Sequence, residues 1–340
     1  MHSEESLDFL PRYLKHIPGV SRFVSGYQRR GLVDFARAHW TPPLTPAAAL
    51  RLEQDQIASL GLHPMVSLTD HDSMEAPMAL QVTAACAEVP ISVEWTVPYQ
   101  RAILHFGIHN LPPSEARRWM SIMAAYTSAP DETSLAPILS ELSKLPDVLI
   151  VLNHPFWLEE GVEEPDRRDA VARLLRECVD CFHAFELNGT RKWHENAATI
   201  ELARVYSRPL ISGGDRHACE PAACLNLTNA TSFAEFVSEI RAGHSTVLFM
   251  PHYREPMALR ILETAWQILR SYPECRGRER WTDRVFYRRE DGVALPLSTV
   301  WKDRVPWLVR PVTGILGLCA MRGVRPALRF LLSGRAELLP

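Results

Sequence analysis

Between residues 31 and 250 the chain alternates short apolar runs with stretches whose apolar residues recur every three or four positions. This alternation constrains the fold more than any other feature. It is the signature of β-α units, in which strands lie parallel and each crossover helix covers a sheet face. The runs predict strands at 32–38, 65–69, 91–95, 102–108, 148–153, 184–187 and 210–212, with a last pair at 224–227 and 245–249. Helical spacing predicts helices at 46–60, 134–145, 168–178 and 195–206, with Asp131 or Thr133 as N-cap of the second, and a further helix from about Ser232.

The ends divide from this body. Residues 1–30 are polar to amphipathic and broken by Pro11 and Pro18, and beyond 250 the alternation stops. There 256–271 reads as one amphipathic helix and 301–333 as broken helices rich in Trp, Leu and Arg. The predicted organisation is an N-terminal amphipathic segment (1–30), a β/α body (31–250) and a basic helical C-terminal region (251–340). Residues 251–340 hold 16 Lys and Arg against 9 Asp and Glu, although the whole chain has a net charge of -3. That overall balance excludes generic nucleic-acid binding through the whole surface. A tail carrying Trp301, Trp307, Arg304 and Arg310 admits peripheral contact with an anionic membrane, or helices docked on the body with their Arg residues in water.

The seven cysteines have no framework spacing, and Cys178 and Cys181 form a lone C-x-x-C without the second pair a zinc ribbon needs. Reduced thiols and a cytoplasmic location are the expectation. The N-terminus lacks a signal-peptide apolar core, and no run of 18 apolar residues occurs.

The chemistry collects at predicted strand ends. His39, Asp70, His71, Glu94, His105, His154, Asp215 and His217 all fall in or just after the C-terminal half of a run. In a β/α barrel those ends converge on one rim, so residues far apart in sequence meet there. Imidazole and carboxylate without thiolate suit Zn, Mn or Fe(II), and a carboxylate such as Glu94 can bridge two ions.

The same residues resemble the motifs of the PHP family, the polymerase and histidinol phosphatase domain. Ser67-Leu-Thr-Asp-His-Asp72 is similar to its "TDHD", Val93-Glu94 to its bridging-Glu motif, and Ile103-Leu-His-Phe-Gly107 to its "H-x-L-G" strand. Asn153-His154-Pro155, Phe185-Glu-Leu-Asn188, Gly213-Gly-Asp-Arg-His217 and Arg241-Ala-Gly-His-Ser-Thr-Val-Leu248 follow in the family's order. The resemblance implies a distorted seven-stranded β/α (TIM-like) barrel with a C-terminal, mainly helical appendage. It also implies a metal-dependent phosphoesterase acting on a small phosphorylated substrate through metal-bound hydroxide. One implied ion takes His39, Glu94 and Asp215, and a second takes Glu94, His105 and His154. A third is left only His71 and His217, so two divalent ions are expected.

One departure stands out. The family's opening "D-x-H-x-H" has its best match in Asp34-Phe-Ala-Arg-Ala-His-Trp40, which puts Arg37 on the first His. Arg37 is either a phosphate clamp or a fixed charge replacing a lost ligand. Asp70 is a candidate for orienting the ligands. Two rival readings remain beside phosphoester hydrolysis: a metal hydrolase of amide or ester bonds, and a degenerate barrel that binds a phosphorylated ligand or a membrane surface without turnover.

Overall fold

A computed structural model of the protein describes residues 5–7, 37–159, 161–215, 219, 222–289, 291–307, 309–321 and 323–333. Two short strands, β1 (Glu5–Ser6) and β2 (Ala38–Trp40), stand apart from the central sheet. That sheet runs in chain order through β3 (Val93–Tyr99), β4 (Ala102–His109), β5 (Leu149–Asn153), β6 (Ala184–Asn188) and β7 (Leu210–Gly213). β4 is antiparallel to both β3 and β5, whereas β5, β6 and β7 are parallel. β8 (Cys224–Leu227) and β9 (Thr246–Phe249) form a separate antiparallel pair.

The seven-stranded barrel expected from the sequence is therefore not what the described residues form; the sheet is open and mixed. Only Gln100 and Arg101 separate β3 from β4. A two-residue link folds the chain straight back, and a parallel neighbour would need a crossover of a dozen residues or more. The strand predicted at 65–69 is also absent: residues 62–69 have no strand pairing, and contact with β3 is one parallel bridge between His71 and Glu94. Of the strand predicted at 32–38, residues 32–36 lie outside the described ones.

Period-two alternation sorts the sheet into two faces. One face carries Val93, Trp95, Val97 and Tyr99, then Leu104, Phe106 and Ile108, then Ile150, Leu152 and Phe185. Helices cover it. Two earlier helices, α1 (Pro46–Ala58) and α2 (Glu75–Gln81), lie elsewhere, packing Ala49, Leu50 and Leu80 around Leu68. α3 (Ala116–Ser128), α4 (Glu132–Ser143), α5 (Glu164–Cys178) and α6 (Trp193–Tyr206) supply Trp119, Met123, Leu135, Leu139, Leu174 and Ala203 to this core. Each such aliphatic or aromatic side chain contributes about 1.5–3 kcal/mol by leaving water. Asp131 caps α4, its Oδ1 accepting the Thr133 N–H at 3.1 Å, as the sequence predicts.

The opposite face is divided. Part of it, Leu149, Val151, Ala184 and Ile211, packs against Phe236, Val237 and Ile240 of α7 (Phe233–Arg241). The same face also carries Glu94, His105, Asn153 and Glu186.

The C-terminal region begins with α8 (Met257–Leu269), on which α9 (Val309–Cys319) and α10 (Arg325–Ser333) pack. It also contributes β10 (Val285–Arg288) and β11 (Ala294–Pro296) to a sheet ordered β1-β2-β10-β11. The strand carrying His39 thus pairs with 285–287 and not with the central sheet. Trp307, Ile315 and Leu318 are exposed. No helix among the described residues is long and apolar enough to cross a membrane.

His183, just before β6, has a structural part. Its Nδ1 accepts the Ile150 N–H at 2.9 Å, and its own N–H donates to the Ile150 carbonyl at 2.8 Å. Burial, then Arg241 and Arg208, hold its pKa down at about 3. The unfolded chain, with an ordinary imidazole near 6.5, takes up the proton first. The contribution of neutral His183 is therefore complete above about pH 6.5 and is lost as pH falls toward 3. Urea denaturation of the wild type should show stability falling between pH 7 and pH 5, by up to about 1.4 kcal/mol per pH unit from this group. His183→Gln should flatten that slope; an unchanged slope refutes the assignment.

Candidate metal centre

The site stands on the sheet face opposite α3 to α6, beside the part that α7 covers, and strand register brings its parts together. Glu94 on β3 lies opposite Gly107 on β4, and His105 on β4 lies between Thr96 on β3 and Asn153 on β5. Because β4 runs against its neighbours, its N-terminal half meets the C-terminal ends of β5, β6 and β7. Glycine at 107 lets the side chains of His109 and Asn153 pack closely on the backbone opposite Glu94. A Cβ there would lie 2.7 Å from His109 Nε2 and 2.9 Å from Asn153 Oδ1.

Glu94 is the hub. Its Oε1 lies 3.5 Å from His105 Nδ1 and 3.2 Å from His154 Nε2, and it accepts a 3.1 Å hydrogen bond from Asn153 Nδ2. His105 Nδ1 and His154 Nε2 are 3.3 Å apart. His71 completes the group: its ring centroid is 4.6 Å from that of His105, and donor atoms of His71, Glu94 and His105 all lie within 4.8 Å of one another.

The protonation states follow from the burial of these groups. Burial alone would raise the Glu94 pKa, but His71, the hydrogen bond from His154, and the charges of His105 and His154 hold it well below the carboxylate range. Burial dominates for His105 and pushes its pKa well down against the pull of Glu94. For His154, burial and then Arg191 lower the pKa against the bond to Glu94. A carboxylate beside neutral imidazoles is the state in which such groups ligate a cation. A tetrahedral first-row ion with bonds of about 2.0–2.2 Å spaces its donors about 3.3–3.5 Å apart. The Glu94–His105–His154 triangle matches this spacing, so the residues present fit a cation.

The neighbourhood is built to hold that triangle. His154 has φ 25° and Asp215 φ 37°, backbone conformations that non-glycine residues hold at a cost of about 1–3 kcal/mol. The His154 N–H donates to Glu186 Oε2 at 3.0 Å. Arg167 of α5, only 1% exposed, donates to the carbonyls of Pro155 (2.7 Å), His154 (3.4 Å) and Ile103, and pairs with Glu159 at 3.2 Å. It thereby ties the loop after β5 to β4. Trp157 on that loop stacks on His105, centroids 5.6 Å apart, and carries the Arg191 guanidinium 4.7 Å from its own ring.

The other predicted residues divide. Asp215 forms an ion pair with Arg191 and accepts from Asn188 Nδ2 (3.3 Å) and Thr190 Oγ1 (3.2 Å). Asp70 is buried, and its carbonyl accepts the Glu94 N–H at 3.0 Å, so it acts on the site through the backbone. His39 is not brought to the cluster: it lies opposite Phe286 in the outer sheet and stacks on that ring at 5.4 Å. Arg37 is there too, its Nε donating to the Arg288 carbonyl at 2.9 Å and its guanidinium 5.4 Å from the Tyr287 ring. Both lie on the segment that bonds to β10 in the outer sheet rather than on a strand of the central one. His217 lies outside the described residues.

The sequence motifs give Glu186 no role beyond its place in Phe185-Glu-Leu-Asn188, and Arg191 falls outside them. Glu186 is buried, and burial followed by the charges of Glu94 and Asp215 pushes its pKa up to about 8. Strand parity could have found it, since an acidic residue within the apolar β6 falls on the face that carries Glu94. Arg167 left no comparable signal, being one of several Arg in an amphipathic helix.

No family model matches the chain, and no curated protein matches its sequence. Solved structures give slight likenesses. An amidohydrolase from Chromobacterium violaceum has 16% identity over 52% of this chain and 84% of its own, with TM-score 0.35. A protein from Bifidobacterium adolescentis, described as a metal-dependent phosphoesterase, has 12% identity over 60% of this chain and 92% of its own, with TM-score 0.37. Likenesses of this size assign no chemistry, and the PHP resemblance stands on the motif residues alone.

Gly213 tests the packing of the site. A Cβ at this position would sit 1.5 Å from Glu186 Oε1, so Gly213→Ala must displace a buried carboxyl group. The substitution should cost about 2 kcal/mol or more by urea denaturation. Combining it with Glu186→Ala should recover most of that loss. A Gly213→Ala protein as stable as wild type contradicts the packing.

Proposed function

We propose that the chain is a metal-dependent hydrolase of the PHP type whose substrate is a phosphoester. The observation that carries this reading is the triangle of Glu94 Oε1, His105 Nδ1 and His154 Nε2, with edges of 3.2, 3.3 and 3.5 Å, and His71 beside it. These four residues would hold the divalent metal. Nitrogen and oxygen donors without thiolate suit Zn, Mn or Fe(II). Bound there, such a cation polarises a phosphoryl oxygen and acidifies water for attack.

The chain's own groups supply the rest. Glu94 keeps its negative charge at neutral pH and sets the field of the site. Arg191, rather than Arg37, is the guanidinium this reading assigns to the phosphoryl oxygens, two of which an Arg fork can meet at once. Its ion pair with Asp215 and its seat over Trp157 support the assignment. Glu186, neutral below about pH 8, keeps a third negative charge away from an anionic substrate.

Metal titration joined to a phosphoester panel tests the proposal. Wild type reconstituted with Zn or Mn should bind at least one ion per chain and hydrolyse an aryl phosphate. Glu94→Gln and His105→Ala should lose about 100-fold or more in activity together with the metal. Arg37→His should stay within about twofold of wild type, since Arg37 belongs to the outer sheet. Fewer than one ion per chain overturns the proposal, and turnover of amides or carboxylic esters alone overturns the choice of phosphoester.

A further inference from the structure

Below the cluster the same sheet face opens into a cavity of about 660 Å³, within the roughly 300–1,000 Å³ of small-molecule sites. Its floor carries Glu94, Asn153, Glu186 and Asp215, so it reaches the groups of the metal centre. Its walls are of different chemistry. Leu149 and Ile211 come from the sheet, Met65 and Val66 from the unpaired segment before β3, and Phe233 and Phe236 from α7. Leu62 and Leu227 line it as well and are exposed, marking its rim.

Two features define what can enter. The described titratable groups that line the cavity are Glu53, His63, Glu94, His109, Glu186, Cys224 and Asp215, with no Lys or Arg among them. An anionic tail would therefore find no cationic side chain among the described lining residues to offset its desolvation. In addition, Asn153 Oδ1 is buried and has no hydrogen-bond partner among the described residues. It packs closely on Gly107, where an added Cβ would lie 2.9 Å from it. A buried acceptor of this kind calls for a donor from outside the protein.

We propose that the ligand of this cavity is a neutral, largely apolar organic group, of bicyclic-aryl or medium-chain-alkyl size, that offers one hydrogen-bond donor or small polar atom toward Asn153. In a substrate this group is the leaving alcohol, and the scissile phosphoryl sits at the cluster above it. That last step rests on the hydrolase reading, whereas the cavity's preference does not. Substrates with a second anionic end, such as nucleotides and sugar bisphosphates, are disfavoured because no described Lys or Arg lines the walls to pair with that end.

Binding and turnover, measured separately, test this. The binding probes are 1-naphthol and 1-naphthalenesulfonate, of one shape and different charge, titrated calorimetrically. 1-Naphthol should bind one per chain, and the sulfonate at least about tenfold more weakly. Met65→Trp, which fills one wall, should weaken 1-naphthol about tenfold while zinc uptake is unchanged. Leu62→Asp, an exposed rim change that spares the core, should weaken it in the same direction. Sulfonate binding as tight as naphthol, or naphthol binding indifferent to both variants, overturns the proposal. Turnover separates the two readings. If 1-naphthol binds as expected and no phosphoester is hydrolysed, the hydrolase reading falls and the cavity's ligand class stands. If glycerol phosphate and 1-naphthyl phosphate are hydrolysed equally well and 1-naphthol does not bind, the cavity proposal falls and the hydrolase stands.

Discussion

The charge on Glu94 is the constraint from which the rest of the structure follows. An ionised carboxylate 4% exposed within a sheet is tolerated only if donors surround it. His105, His154 and Asn153 meet that demand from β4 and from the end of β5. They can do so because the antiparallel register of β4 sets His105 beside Asn153 at the end of β5. The polar rows then leave only the other face of the sheet for helices α3 to α6 to cover. The residual space on this face, closed by α7 and by residues 62–69, is the cavity.

Two carboxyl groups a few strands apart are thus driven in opposite directions. Glu94 has imidazoles around it and stays charged, while Glu186 has Glu94 and Asp215 as neighbours and is pushed up to about 8. Pairs of titratable groups separated in this way are the usual mark of divided chemical roles. Asp215 is in turn balanced by Arg191, so the field of the site is graded: carboxylate and imidazole at one end, guanidinium at the other. Arg167 contributes no charge to the centre itself. It holds the backbone at His154 and Pro155, and with it the imidazole that reaches Glu94 from the loop after β5.

Much of this was legible in the chain. The apolar runs of β4, β5, β6 and β7 and the cap at Asp131 were visible because they depend on neighbours in sequence. His71, Glu94, His105 and His154 were found by their positions in or after those runs. Closure was not legible by periodicity, since a strand pattern does not say which strand it will pair with. His39 shows the consequence: Ala38–Trp40 is a strand, yet its partner is β10, some 250 residues away. The antiparallel turn at β3–β4 was hidden because the apolar runs at 91–95 and 102–108 leave six residues between them, whereas β3 extends to Tyr99. Arg167 and the Arg191–Asp215 pair could not be read either, because they depend on how loops close over the finished sheet.

The most direct test of the claim that Glu94 organises a cation site is anomalous scattering from crystals grown with Zn²⁺. The account predicts a peak about 2.0–2.2 Å from the Glu94 carboxylate and from nitrogens of His105 and His154. A zinc-loaded crystal with no peak at Glu94, or with its strongest peak in the outer sheet at His39, would contradict it.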